Sequence, residues 1–180
     1  MTEYEGTRPV GHRFNIPTDS ELDQHFLINP ARLKLLTESA AIRSTDDVVE
    51  VGAGIGTVAE HVTTCRSLTT IEYDGNLIPY LRQRVPHALV LQGDALALLT
   101  RLPCDVLLSN LPSSLTPALA ELLPTLGFRV AVVTVPTIKQ MERLHEAFTL
   151  KLVTVLHEDD FQPRQAMTVE VVKFLRKSHQ

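Results

Sequence analysis

Apolar residues along this chain fall into two rhythms. Between about residues 18 and 42 they recur at helical spacing. Asp19, Ser20 and Glu21 suit a first helical turn from Thr18, with Leu22, His25 and Phe26 on one face. After Pro30, a residue at home in a first turn, residues 31–42 place Leu33, Leu35, Leu36 and Ala40 at helix-like intervals. From Asp47 the pattern changes to short apolar runs over residues 47–52, 68–73, 88–93, 105–110 and 129–135. Each is rich in β-branched residues or leucine and too short for a core helix. Helix-compatible stretches separate them at residues 57–62, 76–84, 96–102, 117–123 and 137–148. Short strands alternating with helices predict a parallel sheet covered on both faces. Two last runs, 151–156 and 168–174, have no helix between them and predict an antiparallel pair at one sheet edge. Residues 1–18 lack any sustained period and read as an arm, leaving 19–180 as one domain.

Composition bounds the possibilities. The 180 residues are 44% hydrophobic and 21% charged, an ordinary globular balance. No apolar run is long enough to cross a bilayer, and the polar start does not read as a signal peptide, so a cytoplasmic protein is expected. Cys65 and Cys104 have no CxxC spacing and are expected to be reduced thiols. The histidines are scattered singly, so no metal is expected. A net charge of −4 weighs against nucleic acid, although Arg8, His12 and Arg13 at the front and Lys173, Arg176 and Lys177 near the end form local basic runs.

The sharpest chemical signal is Glu50-Val51-Gly52-Ala53-Gly54-Ile55-Gly56-Thr57, which closes the first short strand and opens a helix. Glycines there allow a tight turn and a close backbone approach to a ligand. A dehydrogenase turn or a purely structural loop would read the same way. Glu72 ends the second strand, where an acid can accept both hydroxyls of a ribose. Asp94, in Gln92-Gly93-Asp94-Ala95, ends the third, where a carboxylate can accept from an adenine amino group. The ExGxGxG spacing differs from the GxGxxG that suits a pyrophosphate, and a Gly-Asp-Ala at the third strand is not typical of NAD enzymes. Together these favour S-adenosyl-L-methionine (SAM), which has no phosphate, and with it a Rossmann-like class I methyltransferase with a doubly wound, mostly parallel seven-stranded α/β sheet.

The chain also resembles the rRNA adenine N6-dimethyltransferase family, which includes the small-subunit rRNA dimethylases and macrolide-resistance methylases. The likeness runs over about residues 20–175. Gln24-His25-Phe26-Leu27 resembles the family's Q-[NH]-[FI]-L motif, Asn110-Leu111-Pro112 the start of N-[LI]-P-[YF], and Phe161-Gln162-Pro163 the late F-x-P. The resemblance implies that Gln24, His25 and Leu27 contact SAM and that Gly52 and Gly54 border its methionine part. It implies Glu72 on the ribose, Tyr73 beside the adenine, and Asp94 and Ala95 at the adenine edge. Asn110, with the Leu111–Pro112 backbone, would face the target amine. Such a turn suits the chemistry independently. Two carbonyl oxygens accepting an amine's hydrogens leave its lone pair free to aim at the methyl, and proline offers no competing N–H.

The departures gather on the acceptor side. Ser113 replaces the family's aromatic after N-L-P, a ring that would stack on a flipped adenine. Gln165 stands where a second proline is usual, and residues 137–149 are shorter than the family's segment. The chain ends at Gln180, so no C-terminal helical domain for rRNA docking is expected. With aromatics at 5%, Phe161 is the main stacking surface left. Three readings stay open: an RNA adenine methyltransferase, a methyltransferase of a small molecule or modified peptide with Ser113 and Phe161 in a rebuilt acceptor pocket, and a non-catalytic SAM-binding protein. Charge, the missing domain and Ser113 favour the second, retention of the motifs favours the first, and Asn110 speaks against the third.

Overall fold

A computed structural model describes Leu22 and residues 24–177. The arm expected over residues 1–18, its basic residues, and Thr18 to Glu21 of the first helix lie outside the described residues. Five strands run parallel: β2 (Asp47–Val51), β3 (Ser67–Glu72), β4 (Leu89–Gln92), β5 (Val106–Ser109) and β6 (Val130–Val135). With β7 (Phe148–Leu156) and β9 (Val169–Arg176) they form one sheet in the order β4-β3-β2-β5-β6-β9-β7. As the pattern predicted, β7 and β9 pair antiparallel at an edge; β9 also pairs antiparallel with β6, leaving β7 outermost. A separate two-stranded ladder joins β1 (Phe26–Leu27) to β8 (Phe161–Gln162).

Alternation along the strands divides the core. In β5, Val106 and Leu108 face a layer containing Leu33 and Leu36 of α1 (Pro30–Ser39) and Leu81 of α2 (Ile78–Arg84). Leu107 between them faces the opposite layer, with Leu99 of α3 (Ala95–Leu99) and Leu119 of α4 (Thr116–Leu122). Burial on both faces explains why these strands read as continuous apolar runs.

Four expectations were displaced. Phe26, read on the face of a first helix, begins strand β1 instead. Only a single 3₁₀ turn, Ala59–His61, forms within 57–62, since the glycine loop precedes it and the β-branched Val62, Thr63 and Thr64 follow. Residues Ile138–Glu146 form 3₁₀ rather than α turns, and Phe148 begins β7 instead of ending a helix. Aromatic packing holds Phe148 in the sheet: its ring stacks on Phe128 at 5.3 Å between centroids and meets Phe174 edge-on at 6.0 Å. Helix α1 ends early, at Ser39, and Leu35 falls off its buried stripe and is exposed.

At the amino ends of the strands, buried acids are paired. Asp47 takes hydrogen bonds from Arg66 and Ser67, which hold its carboxyl down at about 2, and Asp46 takes one from Arg129. At the other end a second acid organises a clasp. Buried Asp160 accepts from Asn29 Nδ2 at 2.6 Å and from the His157 backbone N–H at 2.9 Å, with Arg32 at 3.6 Å. Its backbone carbonyl accepts from Ile28 N at 2.9 Å, so the residues flanking β8 are bound to those flanking β1. Asn29 meanwhile caps α1 through Ala31 N. Asp160→Ala would strand these donors. We expect a loss of about 2–4 kcal/mol of unfolding free energy in denaturant titration, from charged hydrogen bonds worth ~1.5–3 kcal/mol each and left unmade. A loss below about 0.5 kcal/mol would mean the clasp is not held by this carboxylate.

Candidate active site

The order of strands reverses between β2 and β5. The chain leaves β2 towards β3 on one side and leaves β5 towards β6 on the other, which opens a crevice at their carboxyl ends. A cavity of about 450 Å³ occupies it. All but one of the sequence-predicted residues come together here, drawn from the ends of β2, β3, β4 and β5 and from the clasp.

The glycine loop forms the floor. Gly52 has φ +70°, and a Cβ on it would lie 2.9 Å from Leu111 Cδ2 and 3.1 Å from the Asn110 carbonyl oxygen. Gly54 has φ +56°, and its Cβ would lie 2.9 Å from the Phe26 ring. Both positions therefore demand glycine for conformation and for space. Glu72, at the end of β3, is buried and holds this loop: its Oε2 accepts from Gly54 N at 2.7 Å and its Oε1 from Asp74 N at 2.8 Å. Sequence reasoning gave Glu72 only a ligand-binding role; the structure adds that of loop anchor. Burial raises its carboxyl above the usual range, against the lowering by these N–H donors.

Glu50 lies deeper, 1% exposed. Its Oε2 has no hydrogen-bond partner among the described residues. Burial, reinforced by the nearby Glu72 charge, pushes its carboxyl up to about 8.

The remaining walls follow the strand order. Tyr73 is 66% exposed at the rim, and Asp94 and Ala95 open α3, where Asp94 Oδ1 caps the helix through Leu96 N at 2.9 Å. Asn110, Leu111, Pro112 and Ser113 form the wall after β5. Asn110 Oδ1 accepts from the Thr134 hydroxyl at 3.0 Å. The clasp supplies the roof: Phe26, Phe161 and Gln165 line the cavity, with Gln24 hydrogen-bonded to Asp74 Oδ2 at 2.7 Å and His25 Nδ1 3.0 Å from the Pro163 carbonyl.

Leu27 is the exception. It is fully buried in the core layer of α1, because neighbouring strand residues point to opposite faces, and Phe26 takes the cavity side. Sequence reasoning also missed Thr134, which read as one more strand residue, and Asp74, whose partner lies across a loop. The basic residues near the end are largely engaged. Arg176 sits 4.9 Å over the Phe148 ring and donates to the Phe128 carbonyl, and Arg164 pairs with Asp159 at 2.7 Å. Among the described residues no His, Cys, Asp and Glu cluster is placed to hold a metal, and no helix is long and apolar enough to cross a membrane.

A sheet of this order with a cavity at its reversal point is the fold of the class I methyltransferases. Two solved structures share it. A dimethyladenosine transferase from Plasmodium falciparum aligns at TM-score 0.76 and 22% identity over 83% of this chain and 62% of its own. The 23S rRNA methyltransferase ErmE aligns at TM-score 0.74 and 18% identity, covering 86% and 70%. In sequence, residues 17–115 match the ribosomal RNA adenine dimethylase family, and the chain belongs to that family. A ribosomal RNA small subunit methyltransferase A from Latilactobacillus sakei is 33% identical over 84 residues, which are 46% of this chain and 28% of that protein. The chain thus matches little more than a quarter of that relative's length.

Glu50 makes the stability of this site pH-dependent. Below the ordinary carboxyl value near 4.5 it is neutral in both the folded and unfolded chain. Between there and about 8 the unfolded chain ionises it while the folded chain keeps it neutral, so its contribution to stability falls as pH rises through that window. Glu50→Gln should therefore gain melting temperature over the wild type at pH 8 relative to pH 5. Thermal melts showing the same difference at both pH values would remove the buried neutral carboxyl.

Proposed function

We propose that this chain is a SAM-dependent methyltransferase that acts on an adenine amino group of ribosomal RNA. The observation that carries the reading is the Asn110-Leu111-Pro112 turn, set against the glycine loop in one cavity and backed by family membership.

The residues present fit SAM. Gly52 and Gly54 carry no side chain where a Cβ would crowd Leu111, the Asn110 carbonyl and the Phe26 ring, all cavity-lining groups. SAM carries a sulfonium and an ammonium, and three acids, Glu50, Glu72 and Asp94, line the cavity. The Glu50 carboxyl, held neutral by burial and with Oε2 unpartnered among the described residues, would ionise to receive the ammonium. Glu72 would take the ribose hydroxyls and Asp94 the adenine amino group, between Tyr73 and Ala95. Gln24 and His25 would close the site from the clasp. When bound, SAM supplies a methyl group on a positively charged sulfur.

The chain's own part is positioning. Asn110 Oδ1 accepts one hydrogen of the target amine and a backbone carbonyl of the turn accepts the other, which leaves the nitrogen lone pair directed at the methyl. Pro112 presents no N–H to compete. Phe26 and Phe161 keep water from the reacting atoms. Phe161, 3% exposed and lining the cavity, is the ring available to an extruded base where Ser113 offers none.

The preference for a small-molecule or peptide acceptor finds no support in the family match or in the sequence relatives, whose names specify ribosomal RNA. RNA adenine is accordingly the acceptor tested first. With labelled SAM and protein-free rRNA, methylation of adenine is expected, and the logarithm of its binding constant should fall by roughly 0.7 per phosphate contacted for each tenfold rise in salt, as on single strands. Asn110→Ala should lower turnover at least about tenfold with SAM affinity little changed, as for a contact made in the transition state. Transfer to small molecules of a cell extract but not to RNA would overturn the acceptor. Glu72→Ala should weaken SAM binding at least tenfold, about 1.4 kcal/mol, in calorimetry. Undiminished affinity would move the cofactor elsewhere.

A further inference from the structure

Strand β6, Val130–Val135, reads Val-Ala-Val-Val-Thr-Val and is buried throughout. Thr134 carries the only polar side chain in it. Valine has nearly the same shape and an equal preference for strands, so packing alone gives no reason for a hydroxyl here. Burying one without a partner would cost free energy. Its surroundings supply the reason. Thr134 is 6% exposed, lines the cavity, and places Oγ1 3.0 Å from Asn110 Oδ1 and 3.2 Å from the Ser109 carbonyl oxygen.

A threonine hydroxyl can donate one proton and can also accept; donated to Asn110, the nearer acceptor, that proton turns the amide oxygen towards Thr134. That contact is the only side-chain hydrogen bond of Asn110 among the described residues. An asparagine amide presents a donor at one end and an acceptor at the other, and the two ends are nearly equal in shape. A target amine needs the acceptor. Without the Thr134 hydroxyl, the described residues provide nothing that decides which end of Asn110 sits where. With it, the oxygen is held on the β6 side of the turn, one lone pair engaged by Thr134 and the second left for a donor in the cavity.

We infer that Thr134 is the positioning residue of this site, fixing the side-chain amide of Asn110 so that its oxygen serves as acceptor for the methylated amine. The catalytic consequence rests on the function proposed above; the positioning itself does not. Two readouts separate them. The first is the ¹⁵N relaxation of the Asn110 side-chain amide, compared between the wild type and Thr134→Val. The order parameter should fall from about 0.85, as in rigid backbone, to below about 0.6. The second is steady-state kinetics on RNA. Thr134→Val should lower kcat roughly tenfold with SAM dissociation constant within about twofold, and Thr134→Ser should restore most of kcat, because it returns the hydroxyl. A general packing defect would lower the melting temperature without that split and without rescue by serine. An unchanged order parameter in Thr134→Val overturns the proposal whatever happens to turnover. A kcat within twofold of the wild type overturns its catalytic meaning. If the wild type methylates no RNA, the acceptor assignment falls and the relaxation measurement still decides the positioning.

Discussion

The site depends on how closely two adjacent strands can exit the sheet in opposite directions. Gly52, just past β2, and Asn110, just past β5, pass so closely that a Cβ on Gly52 would lie 3.1 Å from the Asn110 carbonyl oxygen, tighter than ordinary contact. That approach does two things together. It lets the glycine loop turn back under the cavity, and it brings the Asn-Leu-Pro turn against the loop. Substituting Gly52 would therefore disturb both walls, the one that suits a cofactor and the one that suits an acceptor. Glu72 reinforces the arrangement from the far side by tying the Gly54 amide to the end of β3.

Charge is distributed unevenly along the sheet, and the division separates architecture from chemistry. Acids at the amino ends, Asp46 and Asp47, are matched by Arg129 and Arg66. Acids at the carboxyl ends, Glu50 and Glu72, pair with no cation among the described residues, and burial raises both carboxyls. Paired ends stabilise the fold. Unpaired ends leave the cavity electrostatically ready for a positively charged ligand, at some cost to stability.

Much of this was legible in the chain because the relevant signals are local. The strands betray themselves as apolar runs, and a glycine loop or a strand-end acid sits within a few residues of the element that places it. Fourteen of the residues singled out from sequence line the cavity; Leu27 does not, since the motif gave no phase for a two-residue strand. What stayed hidden is non-local. Nothing near Asp160 announces that it binds Asn29, and nothing near Thr134 announces Asn110. The helical readings at 57–62 and 137–148 failed for a related reason, since a neighbouring loop in one case and an aromatic cluster in the other outweighed local propensity.

The clasp also orders events in time. Phe26 emerges from the ribosome early, and its ladder partner Gln162 only after 135 further residues. Strand β7 is likewise made before β9, yet it reaches the sheet only through β9. Until the final segment of the described chain is synthesised, the nascent protein thus has an open edge at β6 and a cavity without a roof. Contacts this distant in sequence are slow to close. A partly made chain cannot enclose a ligand, so the closed form of the cavity arrives only with these later segments.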